Sequence, residues 1–90
     1  METPTRMRPV TVYSRSYCPF CEFALALLSR KGAPVTVIHV SDAAGREEMI
    51  QRAGGRRTFP QIFVGETHVG GCDDLHALDR AGKLDLMLAN

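Results

Sequence analysis

The chain of 90 residues has no tryptophan and only three cysteines. An odd number of cysteines cannot pair off completely, which argues against a small secreted domain held together by disulfides. Charge of one sign is also missing: the formal net charge is +1, so neither nucleic acid nor an acidic membrane surface is indicated as the main partner. No apolar run approaches the ~20 residues of a membrane span. The first residues, METPTRMRP, carry arginines but no apolar h-region, so they do not read as a secretory signal. The expected compartment is the cytoplasm, where thiols stay reduced. What is present, 44% hydrophobic and 23% charged residues, is the composition of one ordinary soluble globular domain.

Residues 1–8 are polar and without periodicity, and read as a flexible extension ahead of a domain spanning residues 9–90. Val10 to Tyr13 alternate and are rich in β-branched residues, which predicts a strand. Cys21, Ala24, Leu25 and Leu28 follow at helical spacing, and Gly32 and Pro34 end that run. Val35 to Val40 predict a second strand, and Ser41 or Asp42 caps a helix running to about Ala53. Two short strands meet at a turn near Gly65 and Glu66, and Cys72-Asp73-Asp74 opens another helix with Leu75 and Leu78 inward. Residues Lys83 to Leu88 add a last short turn. The order β-α-β-α-β-β-α implies a four-stranded mixed sheet flanked by helices on both faces, the thioredoxin-like fold of the α/β class.

Two cysteines stand in the segment YCPFC, Cys18 and Cys21. A structural zinc site wants four ligands. Here Cys72 stands alone, and His39, His68 and His76 form no closely spaced pair, so no metal site is expected. A redox pair needs less. Cys18 falls at the start of the helix, where free N–H groups and the helix dipole favour a thiolate and lower its pKa. Pro19 suits the first helical position, and Arg15 adds positive charge. Cys21 lies one turn inside, so Cys18 attacks and Cys21 resolves. Several neighbours also have plain structural readings. Cys72 suits a packed thiol, Asp73 a helix cap, Arg56 and Arg57 a solvated loop, and His39 a strand position. Neither His68 nor His76 has an evident partner. Tyr13 suits core or rim, whereas Tyr17, beside Cys18, is placed to line a site.

Four landmarks occur in order: Y-C-P-F-C, the triplet Thr58-Phe59-Pro60, the run G-G-C-D-D from Gly70 to Asp74, and a basic residue three before Cys18. In these the chain resembles the glutaredoxins from Val10 onward, closest to the bacterial glutaredoxin 3 type. The resemblance implies a glutathione-dependent thiol–disulfide oxidoreductase acting on glutathionylated or disulfide-containing proteins and small disulfides. It implies a cis bond between Phe59 and Pro60, with Thr58, Phe59 and Pro60 bordering the glutathione cysteinyl group. The backbone of Gly71, Cys72 and Asp73 then receives the γ-glutamyl carboxylate, and the Asp73 side chain its ammonium. Arg15 and Arg46 meet the glycine carboxylate, and Tyr17 and Phe20 line the site. Phe59 replaces the usual valine, Phe20 the usual tyrosine, and Arg15 the usual lysine. Glutathione is expected as co-substrate with no tightly bound cofactor, glutathione reductase serves indirectly through oxidised glutathione, and the chain acts as a monomer. A redoxin served by thioredoxin reductase leaves Arg15, Arg46 and the G-G-C-D-D turn without a purpose. A glutathione-ligated iron–sulfur carrier goes in this family with a single-cysteine C-G-F-S motif, against which Pro19 and Cys21 argue.

Overall fold

A computed structural model describes residues 7–89. Its four strands are β1 (Val10–Ser14), β2 (Val35–His39), β3 (Gln61–Val64) and β4 (Thr67–Gly70), in sheet order β2-β1-β3-β4. The β1–β2 pair is parallel, with Val10 opposite Val35 and Ser14 opposite His39. The β1–β3 pair is antiparallel, with Val10 opposite Val64 and Tyr13 opposite Gln61. A tight turn at Gly65, where φ is +57°, returns the chain into β4; glycine adopts such a φ without steric cost.

The helices are α1 (Pro19–Arg30), α2 (Ala43–Arg52), α3 (Cys72–Arg80) and the short α4 (Leu84–Leu88). Successive strand residues point to opposite faces, and the two central strands exploit this fully. Val10 and Val12 of β1, with Ile62 and Val64 of β3, pack against Ala24, Leu27 and Leu28 of α1, Leu75 of α3 and both buried leucines of α4. Tyr13 and Phe63 point the other way and pack against Met49, Ile50 and Ala53 around α2. The expected arrangement, a mixed sheet flanked on both faces, is therefore present. The last predicted turn is a full helical turn that closes the first of these cores.

Helix α1 begins at Pro19, two residues ahead of Cys21, the first residue of the apolar face, because Cys18 serves as its N-cap. Asp42 caps α2, its carboxylate accepting from the Gly45 N–H at 2.8 Å. At the other end of α1, the Lys31 ammonium lies 2.7 Å from Asp79 and 2.9 Å from Asp85. These carboxylates tie α1 to α3 and to α4, and their hydrogen bonds raise the Lys31 pKa. Of the segment read as a flexible extension, residues 1–6 lie outside the described residues. Met7 bridges Ala89, and the Arg8 N–H donates to the Leu88 carbonyl at 2.8 Å. Among the described residues no helix is long and apolar enough to cross a membrane.

Strand β2 is an edge strand with most of its length exposed, so large side chains there contribute little to the core. Leu75→Ala, at a fully buried position, is expected to cost about 2–5 kcal/mol of unfolding free energy. Val37→Ala on β2 is expected to change it by no more than about 0.5 kcal/mol. Urea unfolding of the two variants checks this, and equal losses would contradict the placement of the core.

Candidate active site

Where β1 ends, the chain must turn abruptly into α1, and it does so through Tyr17, whose φ is +55°. A left-handed conformation is uncommon for a residue with a side chain, and it brings Cys18 directly onto the helix terminus. Cys18 and Cys21 are joined as a disulfide, their Cα atoms 5.2 Å apart. The Cys21 N–H lies 3.2 Å from the Cys18 sulfur, and the Glu22 N–H donates to the Cys18 carbonyl at 3.2 Å. The capping group of α1 is thus a sulfur. Cys18 is 6% exposed and Cys21 only 1%, so a sulfur approaching from outside meets Cys18 first. On reduction, the N–H groups and positive end of the helix dipole favour negative charge on the same atom.

Beside this pair runs the segment Thr58-Phe59-Pro60, and the Phe59–Pro60 bond is cis, as the resemblance implies. The Phe59 main chain makes no hydrogen bond among the described residues, so its N–H and C=O are available to a ligand. A buried amide braces this segment from behind. The Gln61 side chain, fully buried, donates to the Thr58 carbonyl at 2.9 Å and lies 3.1 Å from the Thr58 hydroxyl. A carbonyl only accepts, so the amide nitrogen faces Thr58 and the amide oxygen faces His68, whose Nε2 is 2.7 Å away. His68 Nε2 therefore carries the proton. Burial, then the nearby Arg56 charge, lowers the His68 pKa and favours the neutral ring.

Phe59 stands between two clefts. One is bordered by Phe20, Thr58, Pro60 and the α3 N-terminus from Gly71 to Asp74. The other is bordered by Arg15, Arg46, Ser16, His39 and Asp42. The Arg15 guanidinium lies 5.8 Å from the Phe59 ring centroid, within cation–π range. Tyr17, Cys18 and Arg15 also border an open face running toward Val37 and His39. The expected site residues thus line three faces: Phe20, Thr58, Phe59, Pro60, Gly71, Cys72 and Asp73 border one cleft, Arg15, Arg46 and Phe59 another, and Arg15, Tyr17 and Cys18 the open face.

At the start of α3 the structure departs from the expectations. The cap comes from Asp74, not Asp73. A carboxylate at the third helical position reaches back to the N-cap backbone, and Asp74 accepts from the Gly71 N–H at 2.8 Å. Asp73 remains exposed. The Gly71 N–H is therefore engaged, leaving those of Cys72 and Asp73 as the open donors of the helix terminus. Arg56 is more than a solvated loop residue: its guanidinium donates to Asp74 at 3.1 Å. A Cβ on Gly70, where φ is +118°, would collide with the Asp74 carboxylate and, at 2.9 Å, with Arg56. Cys72 is buried, and burial together with Asp73 raises its thiol pKa. His76 Nδ1 lies 3.4 Å from that sulfur but 2.9 Å from the Cys72 carbonyl. Its proton serves the carbonyl, so His76 is not a base for the thiol, and Cys72 is a packed residue.

Sequence reasoning missed the partners of all three histidines: Gln61 for His68, Cys72 for His76, and Ser16, whose hydroxyl is 3.1 Å from His39 Nε2. One signal was available, a glutamine opening the otherwise apolar strand QIFV. Among the described residues, no three histidine, cysteine or acidic side chains are grouped as metal ligands.

The family model described as Glutaredoxin matches residues 10–69. The glutaredoxin of Pseudomonas aeruginosa is 49% identical over 83 residues, covering 92% of this chain and 99% of that protein. Glutaredoxin 3 of Escherichia coli K12 is 51% identical over 83 residues, covering 91% and 99%. Among solved structures, the crystal structure of the buckwheat glutaredoxin–glutathione complex superposes with a TM-score of 0.80. It is 34% identical and covers 90% of this chain and 76% of that one.

The Asp74 carboxylate generates a prediction. Its pKa is lowered, first by the Gly71 N–H bond and then by Arg56. A depressed carboxylate contributes stability above its unfolded pKa of about 3.9, and that stability is lost as pH falls through the lower folded value. Because Asp74 is partly exposed, the contribution is discounted to about 1 kcal/mol or less. Asp74→Asn is expected to be less stable than the wild type at pH 7, with the gap closing below about pH 4. Urea unfolding across that range measures it, and a gap that widens in acid would contradict the assignment.

Proposed function

The chain belongs to the glutaredoxin family and is a thiol–disulfide oxidoreductase, and from that premise we propose that it is a cytoplasmic, monomeric, glutathione-dependent enzyme. On this reading it reduces protein–glutathione mixed disulfides and small or protein disulfides. The observation that carries the reading is a pair of sulfurs at a helix N-terminus, in which Cys18, the N-cap, is the more exposed and Cys21 lies one turn behind it.

In the reduced protein the Cys18 thiolate attacks the glutathione sulfur of a mixed disulfide. A bond forms between Cys18 and glutathione as the bond to the substrate sulfur breaks, and the substrate leaves as a thiolate that takes a proton. A second glutathione, as thiolate, attacks the glutathione sulfur held on Cys18, giving oxidised glutathione and restoring the Cys18 thiolate. Glutathione reductase recycles the product. In the dithiol route Cys21 attacks Cys18 and expels glutathione, leaving the Cys18–Cys21 bond found in this structure. No metal or bound organic cofactor enters either route.

The surroundings support glutathione as the co-substrate through their charge and hydrogen-bonding pattern. The free Phe59 N–H and C=O pair with the cysteinyl segment as an added strand does. The open N–H groups of Cys72 and Asp73 receive the γ-glutamyl carboxylate, with the Asp73 carboxylate beside its ammonium. Arg56, anchored on Asp74, adds positive potential at this end. At the far end, Arg15 and Arg46 answer the glycine carboxylate across the cleft that they share with Phe59. Related chemistry is represented by the buckwheat protein, solved as a complex with glutathione.

NADPH consumption with hydroxyethyl disulfide, glutathione and glutathione reductase tests the reading. Cys18→Ser is expected to abolish turnover, because both routes begin at that sulfur. Cys21→Ser is expected to retain deglutathionylation of a glutathionylated protein, since only the dithiol route needs Cys21. Loss of that activity in Cys21→Ser, or wild-type turnover only with thioredoxin reductase, would contradict the mechanism.

A further inference from the structure

Gln61 is fully buried on the central strand β3. It stands opposite Tyr13 of β1 and is followed by Ile62, Phe63 and Val64, all buried as well. An amide placed there loses its water, whereas a leucine of similar size would lose none. The loss is offset only through its partners, and those partners lead to the cleft. The amide nitrogen donates to the Thr58 carbonyl at 2.9 Å and lies 3.1 Å from the Thr58 hydroxyl. The amide oxygen faces His68 Nε2 at 2.7 Å, and the His68 ring rests against Phe63 with centroids 4.9 Å apart. Neither Gln61 nor His68 borders any of the three faces around the cysteine pair, so neither touches a ligand held there.

Two properties of amides give this chain of contacts a direction. The first belongs to the main chain. The Thr58–Phe59 peptide is trans, so the Thr58 carbonyl and the Phe59 N–H lie in one rigid plane and point opposite ways. A bond that grips the carbonyl from behind therefore fixes where the Phe59 N–H points, away from Gln61, on a segment that borders the cleft. The second belongs to the side chain. The terminal bond of glutamine has a broad, roughly two-fold torsion. Turned over, the amide would set its oxygen against the Thr58 carbonyl, acceptor against acceptor. A donor at His68 excludes that state.

We propose that Gln61 and His68 are positioning residues for glutathione. His68 fixes the orientation of the Gln61 amide, the amide grips the Thr58 carbonyl, and the Phe59 N–H is thereby aimed at the main chain of the cysteinyl residue. The inference rests on the glutathione-dependent reading above. Its effect is confined to ligands that carry peptide groups beside their sulfur. Cys18 does not depend on it, because the start of α1 holds that sulfur separately.

The test is an equilibrium measured in the Cys21→Ser background, where exchange stops at one mixed disulfide. The Cys18 thiolate attacks oxidised glutathione, the Cys18–glutathione bond forms, the glutathione disulfide breaks, and one glutathione leaves as a thiolate that takes a proton. The same protein is equilibrated with hydroxyethyl disulfide and mercaptoethanol, which carry no peptide group. Mass spectrometry after acid quenching gives both constants. Cys21→Ser alone is expected to favour glutathione. Adding His68→Phe, which keeps a ring against Phe63 but has no donor, is expected to lower the ratio of the two constants about fivefold. That factor corresponds to one net hydrogen bond, and it falls on the glutathione constant alone. His68→Gln retains an N–H donor and keeps the ratio within about twofold of the starting value. Gln61→Leu lowers it at least as much as His68→Phe, and combining the two lowers it no further, since His68 acts only through Gln61. The rate of Cys18 alkylation by iodoacetamide stays the same throughout. An unchanged ratio in His68→Phe and Gln61→Leu, a fall of both constants together in both variants, or additive losses on combining them overturns the proposal. A Cys21→Ser protein with no preference for glutathione overturns the functional reading beneath it instead.

Discussion

The hydrogen bond from the Cys21 N–H to the Cys18 sulfur joins the fold to the chemistry. A helix N-terminus leaves several N–H groups without intrahelical partners, and side-chain oxygens usually satisfy one of them. Here a sulfur does, so the atom that stabilises the helix start is the one that exchanges electrons. The arrangement requires α1 to begin immediately after β1. That requirement explains the left-handed Tyr17, the proline at the first helical position and the inward packing of Cys21 with Ala24. It also explains the division of labour. The N-cap is the outermost point of the helix, and a residue one turn in, on the core face, is covered by the sheet.

A reactive sulfur alone exchanges with any disulfide, so selectivity has to come from what stands around it. Three independent elements supply this surface, and each is locked from behind. The amide of Gln61, held by His68, fixes Thr58 and the segment that follows it. The carboxylate of Asp74, held by Arg56, fixes the entrance to α3. The core around α2 is closed by Tyr13 and Phe63, over which the Arg52 guanidinium lies 5.6 and 4.5 Å from the ring centroids. Arg52 also donates to the Tyr13 hydroxyl at 2.7 Å. In each case a polar group buried or half-buried near the site finds its partner on a different strand, helix or loop, which resists local loosening.

Much of this was legible in the sequence where the signal is periodic or positional. The alternation in Val10 to Tyr13, the helical spacing of Cys21, Ala24 and Leu28, and the glycines and proline at element ends define strands and helices without tertiary knowledge. The N-cap role of Cys18 follows from Pro19 and the apolar face behind it. What remained hidden depends on pairing across sequence distance. Gln61 and His68 are seven residues apart on a hairpin, and only the register of β3 and β4 makes them neighbours. Asp73 and Asp74 are indistinguishable as neighbouring acids until the phase of α3 shows which one faces Gly71. Arg56 and Arg57 likewise separate only when one of them meets Asp74.

The central claim is that Cys18, as the N-cap of α1, is the sulfur held ready as a thiolate while Cys21 waits behind it. The most direct measurement is the alkylation of fully reduced protein by iodoacetamide at pH 6, with each cysteine followed by mass spectrometry. The account predicts that Cys18 is modified first and faster than the thiol of free glutathione, with Cys21 and Cys72 largely unmodified on the same timescale. Modification of Cys21 or Cys72 ahead of Cys18, or a Cys18 no faster than free glutathione, would contradict it.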